Sequence, residues 1–184
     1  KVLGVVPDHT AALNYLGYML TDRNVRLNEA LGLIQKAMAK DPNNGAYLDS
    51  LGWVYYRMGR YADAAREIQR AVELSPGDPT MYDHYADALI KEKRVAEAVA
   101  NWEESLKHWN ASSPAEKDQS QIDTVRSKLD QARKQIRSLE ALTAQKGLEI
   151  AGLMEALAWS PDGSRFVMAG RQAQGTWNVA VFSA

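Results

Sequence analysis

Two unrelated residue types recur along this chain at one period. Prolines stand at Pro7, Pro42 and Pro76, 35 and then 34 residues apart, and alanines at Ala30, Ala64 and Ala98, 34 apart each time. A third series of small residues, Gly17, Gly52 and Ala86, keeps the same spacing. Repetition of this kind restricts the fold more than any single motif, because a unit of this length cannot bury its apolar face alone and has to stack on copies of itself.

Each series has a physical reason. Gly17, Gly52 and Ala86 fit where two helices cross closely, and Ala30, Ala64 and Ala98 fit the same crossing from the second helix, since a larger side chain would push the backbones apart. A proline after the second helix cannot extend an i to i−4 ladder and favours an extended preceding residue, so it sets the turn into the next unit. Apolar spacing then predicts helix pairs at about 9–22 and 27–40, 45–58 and 61–74, and 79–92 and 95–109. Asp41-Pro42-Asn43-Asn44-Gly45 and Ser75-Pro76-Gly77-Asp78-Pro79 are the breaks between pairs.

The order Leu48-x2-Leu51-Gly52-x2-Tyr55, followed by Ala64-x3-Ile68, Ala71 and Pro76, resembles the tetratricopeptide repeat, with Leu48 where that family usually carries Trp. The preceding unit echoes it through Leu13, Leu16, Gly17, Leu20, Ala30, Ile34, Ala37 and Pro42, with an inter-helix turn one residue longer. The third is looser, with Tyr82, Tyr85, Ala86, Leu89, Ala98, Trp102 and Ser105, and its closing proline is displaced to Pro114. The resemblance implies a mostly α fold of bacterial type, an α-solenoid of helix hairpins over residues 1–112 with full repeats at about 10–44, 45–78 and 79–112. Residues 1–9, ending near Pro7, read as the tail of an earlier repeat, and the first residue is Lys rather than Met, so a longer parent chain is expected.

After Trp109 the composition changes. Ile122, Val125, Leu129, Ala132, Ile136 and Leu139 alternate in steps of 3 and 4, which places one apolar stripe on a long helix within residues 113–146. It is expected to cap the exposed edge of the last repeat, favoured over a coiled-coil seam with another chain because fewer than three heptads are present and Ala132 makes the seam thin. Arg126, Lys128, Arg133, Lys134 and Arg137, interleaved with Asp123, Asp130 and Glu140, read as its solvated side. From Gly147 the period becomes alternating, and Leu157–Ser160, Arg165–Ala169 and Trp177–Phe182 read as strands of a small antiparallel β meander over residues 147–184, turning at Ser160-Pro161-Asp162-Gly163. The stretch from Trp159 to Phe166, with Trp177-Asn178-Val179, resembles one blade of a TolB-type or WD-type propeller. An alternative is the opening of a LolB-like lipoprotein-carrier sheet at Leu148-Glu149-Ile150.

Chemistry is sparse. The chain has no cysteine, and His9, His84 and His108 lie in separate helices or turns without a His-x3-His pair, so neither a Cys-ligated cluster nor a zinc-hydrolase site is expected. No Gly-rich phosphate loop or Gly-x-Ser-x-Gly elbow occurs, and Glu103-Glu104 are adjacent on a helix and do not face one another. The expectation is no enzyme, no catalytic residue, no metal and no cofactor. With 22 basic against 23 acidic residues, the net charge of −1 leaves no excess for a nucleic-acid surface. An apolar run of about 18 residues, enough for a membrane span, is missing from the sequence.

What remains is surface. In tetratricopeptide proteins the first helix of each pair lines a concave groove. By that resemblance its inner positions here are Asn14, Tyr15, Tyr18, Asp49, Ser50, Trp53, Tyr56, Asp83, His84 and Asp87. Groove members of the family that grip a terminal carboxylate carry Lys and Arg there, and this groove carries aromatics and acids instead. The expected partner is therefore a protein segment, peptide or helix, with basic residues and an apolar anchor. Asn14, Tyr18, Asp49, Trp53, Asp83, His84 and Asp87 are the candidate partner-binding residues, Trp53 and Tyr18 foremost because they fall between packing positions. Tyr15 and Tyr56 are left open between partner contact and packing between repeats. The function expected is a scaffold or adaptor within a larger complex. The alternative is a fragment of a cell-envelope protein whose activity lies in a missing propeller-like or lipoprotein-carrier domain. Both β resemblances point to the bacterial periplasm or outer membrane, with the cytoplasm as the other setting.

Overall fold

The structure, a computed structural model, describes residues 8–155, 158–159, 165–171 and 177–183, with side chains described for 8–146. Seven helices are found among these residues: α1 Thr10–Asp22, α2 Leu27–Met38, α3 Gly45–Arg57, α4 Tyr61–Leu74, α5 Pro79–Lys91, α6 Val95–Ala111 and α7 Gln119–Glu155. The chain divides into two compact units, residues 1–133 and residues 134–184.

In the first unit, α1–α2, α3–α4 and α5–α6 are successive hairpins, and each is closed by one repeated device. Val25, Arg60 and Arg94 donate their backbone N–H to the carbonyls of Leu20, Tyr55 and Leu89, at 3.0, 2.9 and 2.9 Å. The residue just before each, Asn24, Gly59 or Lys93, has positive φ, as this helix ending requires. The first hairpin's extra turn residue adds a second left-handed position at Arg26. Helix starts are capped in the two later hairpins by side chains: Asn44 Oδ1 accepts from the Tyr47 N–H at 3.3 Å, and Asp78 Oδ1 accepts from the Thr80 N–H at 2.9 Å with Pro79 beginning the helix.

The small residues lie where the hairpin helices cross. A Cβ built on Gly17 would stand 2.6 Å from Ile34 Cγ1 and 3.0 Å from the Ala30 carbonyl oxygen. One built on Gly52 would stand 3.0 Å from Ile68 Cδ1 and 3.1 Å from the Ala64 carbonyl oxygen. Around these crossings Ile34, Leu48, Val54, Ile68 and Leu89 are fully buried. The last hairpin is covered by the start of α7, whose Ile122, Val125, Leu129 and Ala132 are buried, the latter three in one cluster with Tyr85, Leu89, Ala98 and Trp102. The helix begins at Gln119 rather than at Ser113, because Asp118 Oδ1 accepts the Gln121 N–H at 3.1 Å and caps it there. Further along the stripe, Leu139 is 54% exposed.

The second unit holds the rest of α7 and three short strands paired antiparallel in sequence order, β1 Ala158–Trp159, β2 Arg165–Arg171 and β3 Trp177–Ser183. Ala158 stands opposite Val167, and Arg171 opposite Trp177. The fold class read from the sequence needs a correction here. Among the described residues the solenoid is all-helical, built with seven helices, and the expected small antiparallel β meander is not part of that fold. Among residues 8–146, whose side chains are described, every buried core residue lies between Leu13 and Ala132. A pairing with one two-residue strand falls short of the three full strands over an apolar face that give a sheet stability of its own. The expected turn at residues 160–163 and most of the expected partial repeat, residues 1–7, lie outside the described residues.

The helix crossing generates a contrast between two glycines. Gly52→Ala is expected to lower unfolding stability by about 1–3 kcal/mol through overpacking. Gly32→Ala, in α2 with nothing within 4 Å of the new Cβ, is expected to raise it by up to about 1 kcal/mol through helix propensity. Urea melts of the two variants against the parent measure both signs.

Candidate functional site

The inner helices α1, α3 and α5 bring one face of each hairpin to a shared concavity, and the first turns of α7 complete its wall. A cavity of about 250 Å³ opens there. Tyr18, Trp53, Asp83, His84 and Asp87 line it from the hairpins, joined by Asp22 and Thr80, and Ser120, Gln121, Thr124 and Lys128 line it from α7. Five of the seven candidate residues thus meet in one place. Asp49 sits behind His84, and Asn14 is half-buried away from the lining with its Oδ1 unpartnered among the described residues.

The floor is a stacked column. The Trp53 and His84 rings lie 4.1 Å apart between centroids at 11°, and Trp53 stacks on Tyr56 at 4.7 Å and 5°. His84 Nδ1 is held by both Asp49 carboxylate oxygens, at 3.0 and 3.1 Å. Burial alone would pull the His84 pKa down, but the Asp49 charge and hydrogen bond, with Asp83 and Asp87 beyond, raise it above the ordinary histidine value. Above the floor, Lys128 Nζ donates to Asp83 Oδ1 and Oδ2 at 2.9 and 3.1 Å and to Asp87 Oδ2 at 2.7 Å. Trp102 Nε1 donates to Asp83 Oδ1 at 2.8 Å. Burial works against the Lys128 charge, yet Asp87 and Asp83 outweigh it and hold its pKa above the ordinary value. Asp87 is pushed upward by burial and by the neighbouring Asp83, which Lys128 does not fully offset. The Tyr18 hydroxyl is raised by burial and then by Asp22, Asp49 and Asp78.

Several expectations change with this geometry. Trp53 is 8% exposed and forms the middle of the column, so it is a packing residue that shows only an edge to the cavity. Asp49 and His84 are buried and engaged with each other. Tyr15 is 66% exposed, which resolves its two readings in favour of surface, whereas Tyr56 is packed in the stack. Lys128 is not on a solvated side of α7, and Arg133 meets Glu103 at 2.7 Å. Two signals could have found the missed residues. Asp22 continues the Asn14, Tyr18 row by four, and Lys128 flanks the buried stripe at Leu129, where a charged head needs a partner.

The comparisons with known proteins accord with this architecture. A tetratricopeptide repeat family model matches residues 50–115. A TPR repeat-containing protein of Pseudomonas aeruginosa, PA4667, is 47% identical over 75 residues, 41% of this chain; the match takes in 13% of that relative's length. The type III secretion translocator chaperone SycD of Yersinia enterocolitica superposes with a TM-score of 0.62 at 18% identity, covering 71% of this chain and 88% of SycD. PcrH, solved in complex with the chaperone binding region of PopD, gives 0.61 at 16% identity, covering 70% of this chain and 94% of PcrH. Residues 50–115 are thus similar to the tetratricopeptide repeat, and the solved structures share the chain's fold as an all-helical solenoid, the finding that removes the β meander from the fold class. The propeller-blade resemblance rests on residues 159–179, of which 160–164 and 172–176 lie outside those described.

The His84–Asp49 pair has a pH signature. Because the folded-state pKa of His84 is raised, its contribution is complete below the unfolded value of about 6.5 and is lost as pH rises through the folded value. Urea midpoints are therefore expected to fall as pH rises above about 6.5, with a shallower fall in His84→Gln. Equal slopes in both proteins would contradict the assignment.

Proposed function

We propose that this chain is a protein-interaction scaffold whose concave face receives a segment of a partner protein. The observation that carries the reading is the cavity formed jointly by α1, α3, α5 and α7. On α1, Tyr15 and Leu16 are 66% and 38% exposed. The Trp53–His84–Asp49 column fixes the floor in advance, so little ordering of the scaffold opposes binding. An apolar anchor on Tyr15 and Leu16 and a basic residue towards the carboxylates describe the segment this face suits. PcrH, whose fold is similar, is described with the chaperone binding region of PopD, which supports a binding role over catalysis. No helix among the described residues is long and apolar enough to cross a membrane.

Panning a displayed random-peptide library tests the reading. The parent chain is expected to enrich a related set of peptides. The Tyr15→Ala, Tyr18→Ala double variant is expected to bind them at least about tenfold more weakly, as loss of anchoring contacts does, with an unchanged helical circular dichroism signal. Failure of the parent to enrich any set, or equal affinity in both, would remove the concave face as the working site.

A further inference from the structure

We propose that Asn44 is a modification site, an asparagine that deamidates spontaneously to aspartate and isoaspartate when the first turn of α3 opens, and that the isoaspartate form loosens the first two hairpins from each other. Asn44-Gly45 is the one Asn-Gly dipeptide in the sequence, and the fold requires both of its residues. Asn44 is the N-cap of α3, where its Oδ1 accepts the Tyr47 N–H at 3.3 Å. Gly45 is buried against the end of α4, and a Cβ there would run into Ser75 Oγ and stand 3.2 Å from Ser75 Cβ. Capping and close packing thus put side by side an amide and a backbone nitrogen that no following Cβ shields.

In the reaction the Gly45 nitrogen attacks Asn44 Cγ. A bond forms between that nitrogen and Cγ, the Cγ–Nδ2 bond breaks, and Nδ2 leaves as ammonia with the proton lost by the Gly45 nitrogen. Water then opens the five-membered ring at Cγ to give aspartate, or at the main-chain carbonyl to give isoaspartate. Gly45 is the first residue of α3, so its N–H lies outside the helical ladder. Conformation is what holds the reaction back. Ring closure brings the Gly45 nitrogen to the Cβ side of the Asn44 Cα–C bond, which for an L residue means a strongly negative ψ outside the ordinary allowed regions. Asn44 has a ψ of 113°, which turns that nitrogen to the other side. Its carboxamide is also held at both ends, Oδ1 by Tyr47 and Nδ2 by donation to Asp41 Oδ2 at 2.9 Å. Opening of the first turn releases all of these restraints together, and helix ends are where local opening is easiest. Aspartate keeps a cap acceptor but places a second carboxylate beside Asp41. Isoaspartate adds a methylene to the main chain just ahead of Tyr47, whose hydroxyl donates to Thr10 Oγ1 at 3.2 Å and whose ring packs with Leu13 and Ala37. That contact ties α3 to α1.

The test incubates the full chain in mildly alkaline buffer, folded and in urea, and follows every asparagine by peptide mapping and mass spectrometry. Residue 44 is expected to convert before any other, about tenfold more slowly in the folded chain than in urea. Asp41→Ala, at an exposed position, frees Nδ2. It is expected to speed conversion in the folded chain about threefold, to leave the rate in urea unchanged, and to keep the helical circular dichroism signal. The isoaspartate form, separated by chromatography, is expected to unfold at a lower urea concentration than the parent. Earlier conversion of another asparagine, equal rates in the folded chain and in urea, a folded rate that Asp41→Ala does not raise, or an isoaspartate form as stable as the parent overturns the proposal.

Discussion

Two helices can approach to backbone contact only where neither carries a side chain at the point of crossing, and this solenoid is organised around that condition. At Gly17 and Gly52 the opposing carbonyls of Ala30 and Ala64 lie where a Cβ would have to go, with Ile34 and Ile68 closing over the gap. The fixed crossing determines how α1 and α3 are presented, because each inner helix is held against its partner at one depth. The concave face is thus a consequence of packing on the opposite side of the same helices. Its residues did not need to be good packers themselves, and this leaves room for carboxylates and exposed tyrosine there.

The polar groups of the concavity are arranged in two tiers with different roles. The lower tier, Asp49, His84 and Trp53, links α3 to α5 through a hydrogen-bonded ion pair and a stack, and it is buried. A buried pair of this kind contributes little net stability compared with an apolar substitute, but it fixes relative position, since either partner alone would be left as an unmatched charge. The upper tier, Asp83, Asp87 and Lys128, ties α5 to α7 and is partly open to solvent. Between them they make the interface of the last hairpin with α7 both apolar, through Val125 and Leu129, and ionic, through Lys128.

The helices were legible in the sequence because their markers act locally. A proline ends a ladder wherever it stands, and small residues keep a fixed period where stacked helix pairs must touch at one point per repeat. For that reason α1 to α6 fall within two residues of their expected limits. Helix α7 starts at Gln119, six residues after the lower bound of the expected 113–146 segment, where Asp118 caps it. The site was legible as a set of positions but not as a set of roles. Trp53 and Asp49 sit at groove positions by repeat arithmetic, yet their burial depends on His84, 31 and 35 residues away, and no local pattern announces that pairing. Lys128 is a further case: its partners lie 41 and 45 residues back, and on α7 alone it is indistinguishable from the solvated lysines and arginines beside it. The β meander was read from real strand-forming chemistry, but strand propensity says nothing of whether a sheet belongs to the fold that carries the core.

The tether of Lys128 has a thermodynamic consequence. Its ammonium is delivered to Asp83 and Asp87 by a helix already anchored through Ile122, Val125 and Leu129. It therefore competes at an effective concentration in at least the millimolar range, set by covalent connection rather than by abundance. Any cation arriving from solution meets a site with a resident competitor that cannot be diluted. The resident ammonium raises the apparent dissociation constant of such a cation by a fixed factor, which more ligand can still overcome. The first turns of α7 thus hold a built-in counterion over Asp83 and Asp87.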